Sequence, residues 1–346
     1  MAPPRSSSAV NMEDVARRAG VSIATVSRAL RDVPGVSAGT RDRVRAIAEE
    51  LAYVVSPEAS RLSRRETGRI AVVVPRIDAW FHATMLAAVE STLRGADLDV
   101  LVYQLEDEHQ RRRFFDQLPV RRKVDALVLV ALPLLPHEES RLDLMGVEVV
   151  VAGGRLRDHA HVVGDDELAT KLAMDHLLEL GHRRIALIRT DDTDRTEWSA
   201  DVVRTRAFRA ALTDRGLPVP ADYLVTTPPG PMAGSVGMER LLALADPPTA
   251  VFAFSDEIAV AALACLHRTG LAVPATMSLI GVDGHPSAEL FGISTVTQSV
   301  AVQGRLAAEM ALSLLRDHRV ADRSVVVPPT LVARASTGPP TVALRS

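Results

Sequence analysis

The chain carries ten histidines, scattered along its length, and one cysteine, Cys265, set in the apolar run 261–266. No His or Cys pair has metal-ligand spacing, no His pairs with a Ser or Cys nucleophile, and no Gly-x-Gly-x-x-Gly or phosphate loop follows a strand-like run. These residues point away from metal, thiol or nucleotide chemistry, and no cofactor is expected. The stretch whose spacing does suggest a task is 13–30, where two short amphipathic segments meet at Gly20, with Ala16 four residues before it and Val26 six after. A helix-turn-helix needs a small residue where its helices cross, a glycine free to take positive φ at the turn, and an apolar anchor under the second helix. Ser22 is placed to cap that second helix. An ordinary helical hairpin would use the same common residues, so the rest of the chain has to arbitrate.

Charge favours the nucleic-acid reading. The 346 residues sum to a net charge of −3, but residues 1–68 hold 11 arginines against 8 acids, a net of +3, and the remainder a net of −6. A basic head on an acidic body presents one end to phosphate. At 47% apolar residues the chain is globular, and at this length it has room for two or three domains. A lone cysteine excludes an intrachain disulfide and reads as a small buried apolar group. Residues 1–8 lack the apolar segment of a signal peptide, and no apolar run is long enough to span a bilayer. The expectation is a cytoplasmic protein without a membrane partner.

The elements that must position the head are three short helices. Pro34-Gly35 breaks the second, Ser37 caps a third over 38–51, and Val44, Ile47, Ala48 and Leu51 share one face of it. Residues 1–10 read as a disordered tail, 11–55 as the head, and 56–68 as a polar linker in which Leu62 is a lone large apolar side chain among arginines. From 69 onward buried-strand runs (70–74, 100–103, 126–130, 147–152, then 184–188, 224–225, 250–254, 279–282) alternate with helical stretches (83–94, 110–118, 168–180, 204–215, 256–269). This pattern predicts two doubly wound parallel-sheet lobes in tandem, with a cleft at the carboxyl ends of their strands. A helix over 302–315, a last strand pair at 325–327 and 331–333, and a Pro-containing tail at 337–346 complete the chain. The core is thus expected over 69–336, one lobe at about 69–164 and 298–325, the other at about 165–297 and 326–336.

The chain resembles the lactose-repressor/galactose-repressor (LacI/GalR) family of bacterial transcription regulators over nearly its whole length. The resemblance is carried by Asp14-Val15-Ala16, Gly20-Val21-Ser22, Thr25-Val26-Ser27-Arg28, Val36-Ser37, Thr40-Arg41 and Leu51-Ala52-Tyr53 in the head. In the body it is carried by 175–186, Ser255-Asp256-Glu257, Gly281-Val282-Asp283 and 294–298. It implies an all-α helix-turn-helix head on a periplasmic-binding-protein-like α/β core, a homodimer on a pseudo-palindromic operator, and an effector, most simply a sugar, bound between the lobes. The tail lacks the leucine-rich helix that joins some members into tetramers.

On that resemblance the base-reading positions fall on Ile23 and Ala24, flanked by Ser22, Thr25, Ser27 and Arg28. Ile23 and Ala24 cannot hydrogen-bond a base, so their readout is apolar contact, best to a thymine methyl. Arg28 suits guanine O6/N7 or a phosphate, and Ser22, Thr25 and Ser27 suit phosphates or helix caps. Ala59 and Leu62 fall on the family's hinge helix, whose leucine enters the minor groove as a wedge and bends the duplex. Ser56 replaces a common Asn there, and Pro57 comes one residue later than the usual proline.

In the cleft, Arg204 falls on the family's ligand arginine and Asp283 on its ligand carboxylate, with Ser255 and Gln298 at further positions and Trp80 and Phe81 just after the first strand. A forked guanidinium, a carboxylate and an aromatic suit a polyol. Asp256 is expected to cap its helix and His182 to be structural. Where many sugar-responsive members present an Asp, this chain has Gly153-Gly154, which removes one hydroxyl partner. The alternatives on the same two-lobed core are a transported-solute receptor, which has no use for the head, and a nucleotide-dependent enzyme.

Overall fold

The computed structural model describes residues 10–30, 32–53, 66–156, 158–190, 199–317, 319–320 and 322–341. The chain divides into two compact units, 1–67 and 68–346.

In the first unit, α1 (Met12–Ala19), α2 (Ile23–Leu30) and α3 (Ala38–Glu50) enclose a small core of Val15, Ala16, Ala19, Val26, Ala29, Val44 and Ala48. Asn11 caps α1 in a reciprocal box: its side chain accepts from the N–H groups of Glu13 and Asp14, and Asp14 accepts from the Asn11 N–H. Gly20 ends the helix in the left-handed region, at φ 62°, as the turn requires. Ser37 caps α3.

The second unit holds two six-stranded sheets. The first contains β1 (Arg69–Val74), β2 (Asp99–Gln104), β3 (Ala126–Val130), β4 (Glu148–Ala152), β5 (Ala160–Gly164) and β11 (Ser324–Val327), ordered β11-β5-β4-β3-β1-β2. The second contains β6 (Ile185–Thr190), β7 (Leu224–Thr227), β8 (Ala250–Ala253), β9 (Ser278–Asp283), β10 (Ser294–Thr297) and β12 (Thr330–Val332), ordered β12-β10-β9-β8-β6-β7. All pairings are parallel except that of β12 with β10.

Strand alternation builds the cores on both faces. In β1, Ile70, Val72 and Val74 face α4 (Trp80–Arg94) and α12 (Val300–Asp317), whereas Ala71 and Val73 face the side of α5 (Glu108–Gln117) and α6 (Pro136–Asp143). In the second lobe, α7 (Asp166–Glu179) and α8 (Ala200–Thr213) cover one face. The other is covered by α9 (Ala233–Leu242) and α10 (Asp256–Arg268). A short α11 (Pro286–Leu290) follows β9.

The chain crosses between the lobes three times: after Gly164, after Thr297 and after Val327. That last crossing corrects two expectations. β11 and β12 are not a pair but belong to different sheets, and a boundary between 325 and 326 would cut through β11. The segment 337–341 is not a loose tail either. Ser336 is buried and donates to the Leu279 carbonyl, and the Gly338 N–H donates to Ser278 Oγ at 3.0 Å. The buried His182 joins Thr249 Oγ1, Ser278 Oγ and the Gly338 carbonyl at 2.9–3.0 Å. Local composition reads as tail there because every partner is distant in sequence. Strands β5 and β10 and helices α6, α9 and α11 were also not anticipated. Cys265 is fully buried, and among the described residues no helix is long and apolar enough to cross a membrane.

Candidate functional sites

In the head, the positions expected to read bases stand on the surface. Ile23 is 46% exposed, so it does not pack inward, and the anchor beneath the helix is Val26 at 0%. Ser22, Ala24 and Arg28 are exposed, and Thr25 and Ser27 are half-buried. Ser22 Oγ accepts from the Thr25 N–H at 3.1 Å and lies 2.9 Å from Thr25 Oγ1, which fixes the first turn of α2. That turn therefore offers one branched apolar side chain, one methyl and, a turn later, a guanidinium with no ion pair among the described residues. Ala59 and Leu62 lie outside the described residues.

In the second unit, Arg204, Asp283, Gln298, Trp80 and Phe81 gather where the strands of the two lobes end. Arg204, on α8, is 4% exposed. Its Nε donates to Asp166 at 2.8 Å, its Nη1 donates to the Phe254 carbonyl, and its guanidinium lies 4.4 Å from the centre of the Phe254 ring. Burial works against its charge, but Asp166, Asp283 and Asp256 together raise its pKa. Asp166 was not anticipated. It opens α7 directly after the first crossing, and the cap residue beside it, Asp165, accepts from the Leu168 N–H at 2.9 Å.

Asp283 ends β9 at φ +122°, a conformation few side-chain-bearing residues adopt, and Gly284 follows at φ +81°. Its Oδ1 accepts from Gln298 Nε2 at 2.8 Å, and the Gln298 carbonyl accepts from Gln303 Nε2 at 2.7 Å. Burial pushes the Asp283 carboxyl up to about 8, with the Arg204 charge pulling the other way and Asp256 adding to the rise. Asp283 is thus tied through Gln298, at the second crossing, to α12 of the first lobe. Gly164, at the first crossing, completes this joint: a Cβ there would sit 2.8 Å from Gln298 Oε1 and 3.1 Å from Gln303 Nε2.

The cap of α10 is Ser255, whose Oγ accepts from the Ile258 N–H at 3.3 Å, and not Asp256 as expected. The Asp256 carboxylate instead turns to the strand ends, where Oδ2 accepts from the N–H groups of Gly284 and His285 and from Thr295 Oγ1 at 2.8–2.9 Å. Its Oδ1 is buried with no partner among the described residues, and burial pushes its pKa up to about 6. A Cβ on Gly281 would meet that oxygen at 2.2 Å, so only glycine fits beside it.

On the first-lobe side, Phe81 and Met85 occupy the space in front of Gly153, where a Cβ would lie 3.1 Å from both side chains. The place of the missing acid is therefore apolar and filled. Trp80, at the start of α4, turns its ring to His285 of the second lobe, with centroids 5.0 Å apart at 53°. His82, another residue the sequence did not single out, is kept neutral. Burial, then the Arg76 charge, lowers its pKa to about 4, and its Nδ1 has no partner among the described residues.

A helix-turn-helix head joined to a two-lobed binding body defines a ligand-responsive bacterial regulator, and the comparisons agree. Residues 11–56 match the bacterial regulatory proteins of the lacI family, and residues 174–337 match a periplasmic binding protein-like domain. The transcriptional regulator DegA of Bacillus subtilis (strain 168) is 31% identical, covering 94% of this chain and 97% of its own. The transcriptional repressor CytR of Escherichia coli (strain K12) is 30% identical over 97% and 99%. Among solved structures, a complex of the transcriptional regulator CelR with cellobiose superposes with a TM-score of 0.70 at 27% identity, covering 95% of this chain and 100% of that one. The lac repressor dimer bound to operator and the anti-inducer ONPF superposes at 0.84 over 95% and 99%, and at 24% identity that likeness shows the fold. The chain belongs to the lacI family and is a DNA-binding transcriptional regulator.

Proposed function

We propose that this regulator is a homodimeric repressor whose hold on a pseudo-palindromic operator is set by a sugar or sugar derivative bound between its lobes. The observation that carries the effector half is the convergence of Arg204, Asp283 and Gln298 at the lobe crossings. There a buried fork and a carboxyl wired to the opposite lobe can sense one ligand. Arg204 has its Nε edge on Asp166 and one Nη1 donor on Phe254, so its remaining Nη donors are those free to take vicinal hydroxyls. Trp80 supplies an aromatic wall, with Phe81 behind it, and Ser255 stands at the cleft end of β8 with its hydroxyl already committed to a cap. The site reads as one that binds without reacting. A thousandfold change in operator affinity requires the effector to prefer one lobe arrangement by about 4 kcal/mol.

On the DNA side, Ile23 and Ala24 are read as apolar contacts to base edges. Ser22, Thr25, Ser27 and Arg28 are read as backbone or guanine contacts, and Ala59 and Leu62 as the hinge, with Leu62 the minor-groove wedge. Two heads on one operator imply two chains. Support for a dimer comes from an apolar hollow of about 310 Å³ beside the edge strand β2, lined by Ile77, Leu86 and Val102 among others. On the second lobe, the exposed Leu290 (77%) and Phe291 (52%) offer a separate apolar surface.

The test is a gel shift against the DNA upstream of the chain's own reading frame, with and without a panel of sugars, repeated with Leu62→Ala. A specific shift in the wild type, weakened by Leu62→Ala and altered by a sugar, is expected. No specific shift under any condition would falsify the repressor reading.

A further inference from the structure

Resting on the effector cleft just proposed, we propose that His285 is the second-lobe half of an aromatic gate whose first-lobe half is Trp80, and that the effector touches both rings as it passes. Nothing in the sequence pattern points to His285, which lies in the turn between β9 and α11. Its position is nonetheless fixed from three sides. Its backbone N–H donates to Asp256 Oδ2 at 2.8 Å, and the neighbouring Gly284 N–H donates to the same oxygen at 2.9 Å. Its ring Nδ1 accepts from the Ser287 N–H at 2.9 Å, capping α11. An amide N–H can only donate, so the neutral imidazole carries its proton on Nε2. That leaves a single ring donor with no partner among the described residues, beside an indole 5.0 Å away on the other lobe.

The separation decides what the pair does. A ring sandwiched between two aromatic faces needs about 7 Å between them, roughly two aromatic contact distances. At 5.0 Å the rings touch each other across the two lobes, and no ligand ring fits between them as they stand. Trp80 stands at the start of α4 and packs on the first-lobe core, while His285 stands two residues beyond Asp283. A ligand that reaches Arg204 and Asp283 between these rings has to part them, and the lobes with them. The charged groups that face His285 are Asp256, which accepts its backbone N–H, and Glu257 beside it at the start of α10. The chemistry offered to an incoming molecule is an indole face and one N–H donor, suited to a pyranose with an apolar ring face and hydroxyl acceptors on its edge.

The experiment uses the full chain with Trp198→Phe, which leaves Trp80 as its one indole. An imidazolium ring in contact quenches indole emission more strongly than neutral imidazole. Trp80 emission is expected to fall as pH drops, with a midpoint below the ordinary histidine value of 6.5 because burial lowers the His285 pKa. His285→Asn keeps an acceptor for the Ser287 N–H, so α11 stays capped, and it abolishes that quench. A quench near pH 4 common to both proteins belongs to His82 and is subtracted. Identical titrations with and without His285 overturn the gate.

In a second arm, glucose, galactose, maltose and cellobiose are titrated calorimetrically. A sugar that binds the wild type is expected to bind His285→Asn and Trp80→Ala about three- to tenfold more weakly, the span of one aromatic contact. Equal affinity overturns the ligand contact. A panel with no binder overturns the sugar assignment of the preceding proposal, and the emission titration then decides the gate on its own.

Discussion

Nε and Nη2 of Arg204 both lie 2.8 Å from the same oxygen of Asp166, the residue that opens α7 directly after the first lobe crossing. The guanidinium is therefore oriented from the crossing itself, before any ligand arrives. Removing one member of a buried pair strands the other charge, typically at a cost of about 3–5 kcal/mol. Asp166→Ala is expected to lose about 3 kcal/mol in urea denaturation, the low end, because its side chain is still 16% exposed. Asp166→Asn, which can still accept from Arg204, should lose less.

Asp283 makes stability depend on pH in the unusual direction. Its pKa is raised from 3.8 to about 8, so between those values the folded chain holds a proton that the unfolded chain releases. Stability contributed by this group is complete below pH 4 and falls as pH rises toward 8. Each unit is worth about 1.4 kcal/mol, which makes the full effect on the order of 6 kcal/mol. Asp283→Asn removes the titration. Unfolding free energies of the two proteins, compared at pH 5 and pH 8, should diverge in favour of the variant at pH 8. Parallel curves sink the assignment.

Two glycines give opposite expectations for the same substitution. In Gly234→Ala the new Cβ would lie 1.9 Å from the Ile258 carbonyl oxygen, forcing α9 away from α10. More than about 3 kcal/mol should be lost, beyond the usual overpacking range. Gly39 lies within α3 with nothing near its Cβ position. Gly39→Ala should stabilise the head by up to about 1 kcal/mol through helix propensity. Thermal melts of both variants check the pair.

His182 is expected to hold the end of the chain in place. Its ring bridges Thr249, Ser278 and the Gly338 carbonyl while 0% exposed. Burial lowers its pKa, which favours the neutral ring that can both donate and accept. His182→Ala should cost about 2–4 kcal/mol, from unsatisfied partners and a cavity. It should also make 336–341 sensitive to carboxypeptidase. An unaltered digestion rate would show that the other hydrogen bonds suffice.

In the head, the division of labour between Ile23 and Arg28 can be read from salt dependence. Ile23→Ala is expected to weaken operator binding by about tenfold, with the slope of log affinity against log salt unchanged. If Arg28 holds a phosphate, Arg28→Ala lowers that slope by about 1 and weakens all sequences alike. If it reads guanine, the loss is confined to the operator.

Much of this architecture was legible because buried parallel strands advertise themselves. Val72, Val128, Leu187 and Phe252 sit in apolar runs that nothing but a covered sheet accommodates. β5 escaped notice because His161 interrupts it, and β10 because Ser294, Thr295 and Thr297 look like loop, although Ser294 and Thr295 are fully buried. Their hydroxyls are satisfied by Thr337 and by Asp256, partners that no local window contains. The same holds in the cleft. The resemblance pointed to Arg204, Asp283 and Trp80, whereas Asp166 and His285 are found only through what they touch, and touching partners far along the chain is a property of the folded state. Asp256 shows the converse: a carboxylate at a helix start normally reads as a cap, and here Ser255 already fills that role.

The three passages of the chain between lobes also govern how this protein can be recombined. Neither lobe is a continuous piece of sequence: the first needs residues on both sides of 165–297, and the second takes up the chain again after Val327. A hybrid that exchanges one lobe with a relative therefore needs three junctions, after Gly164, Thr297 and Val327. One of these falls between Asp283 and its partner Gln298. Ligand preference in this chain is thus poorly suited to transfer as a single cassette, whereas the head, which lies wholly before residue 68, is one uninterrupted segment.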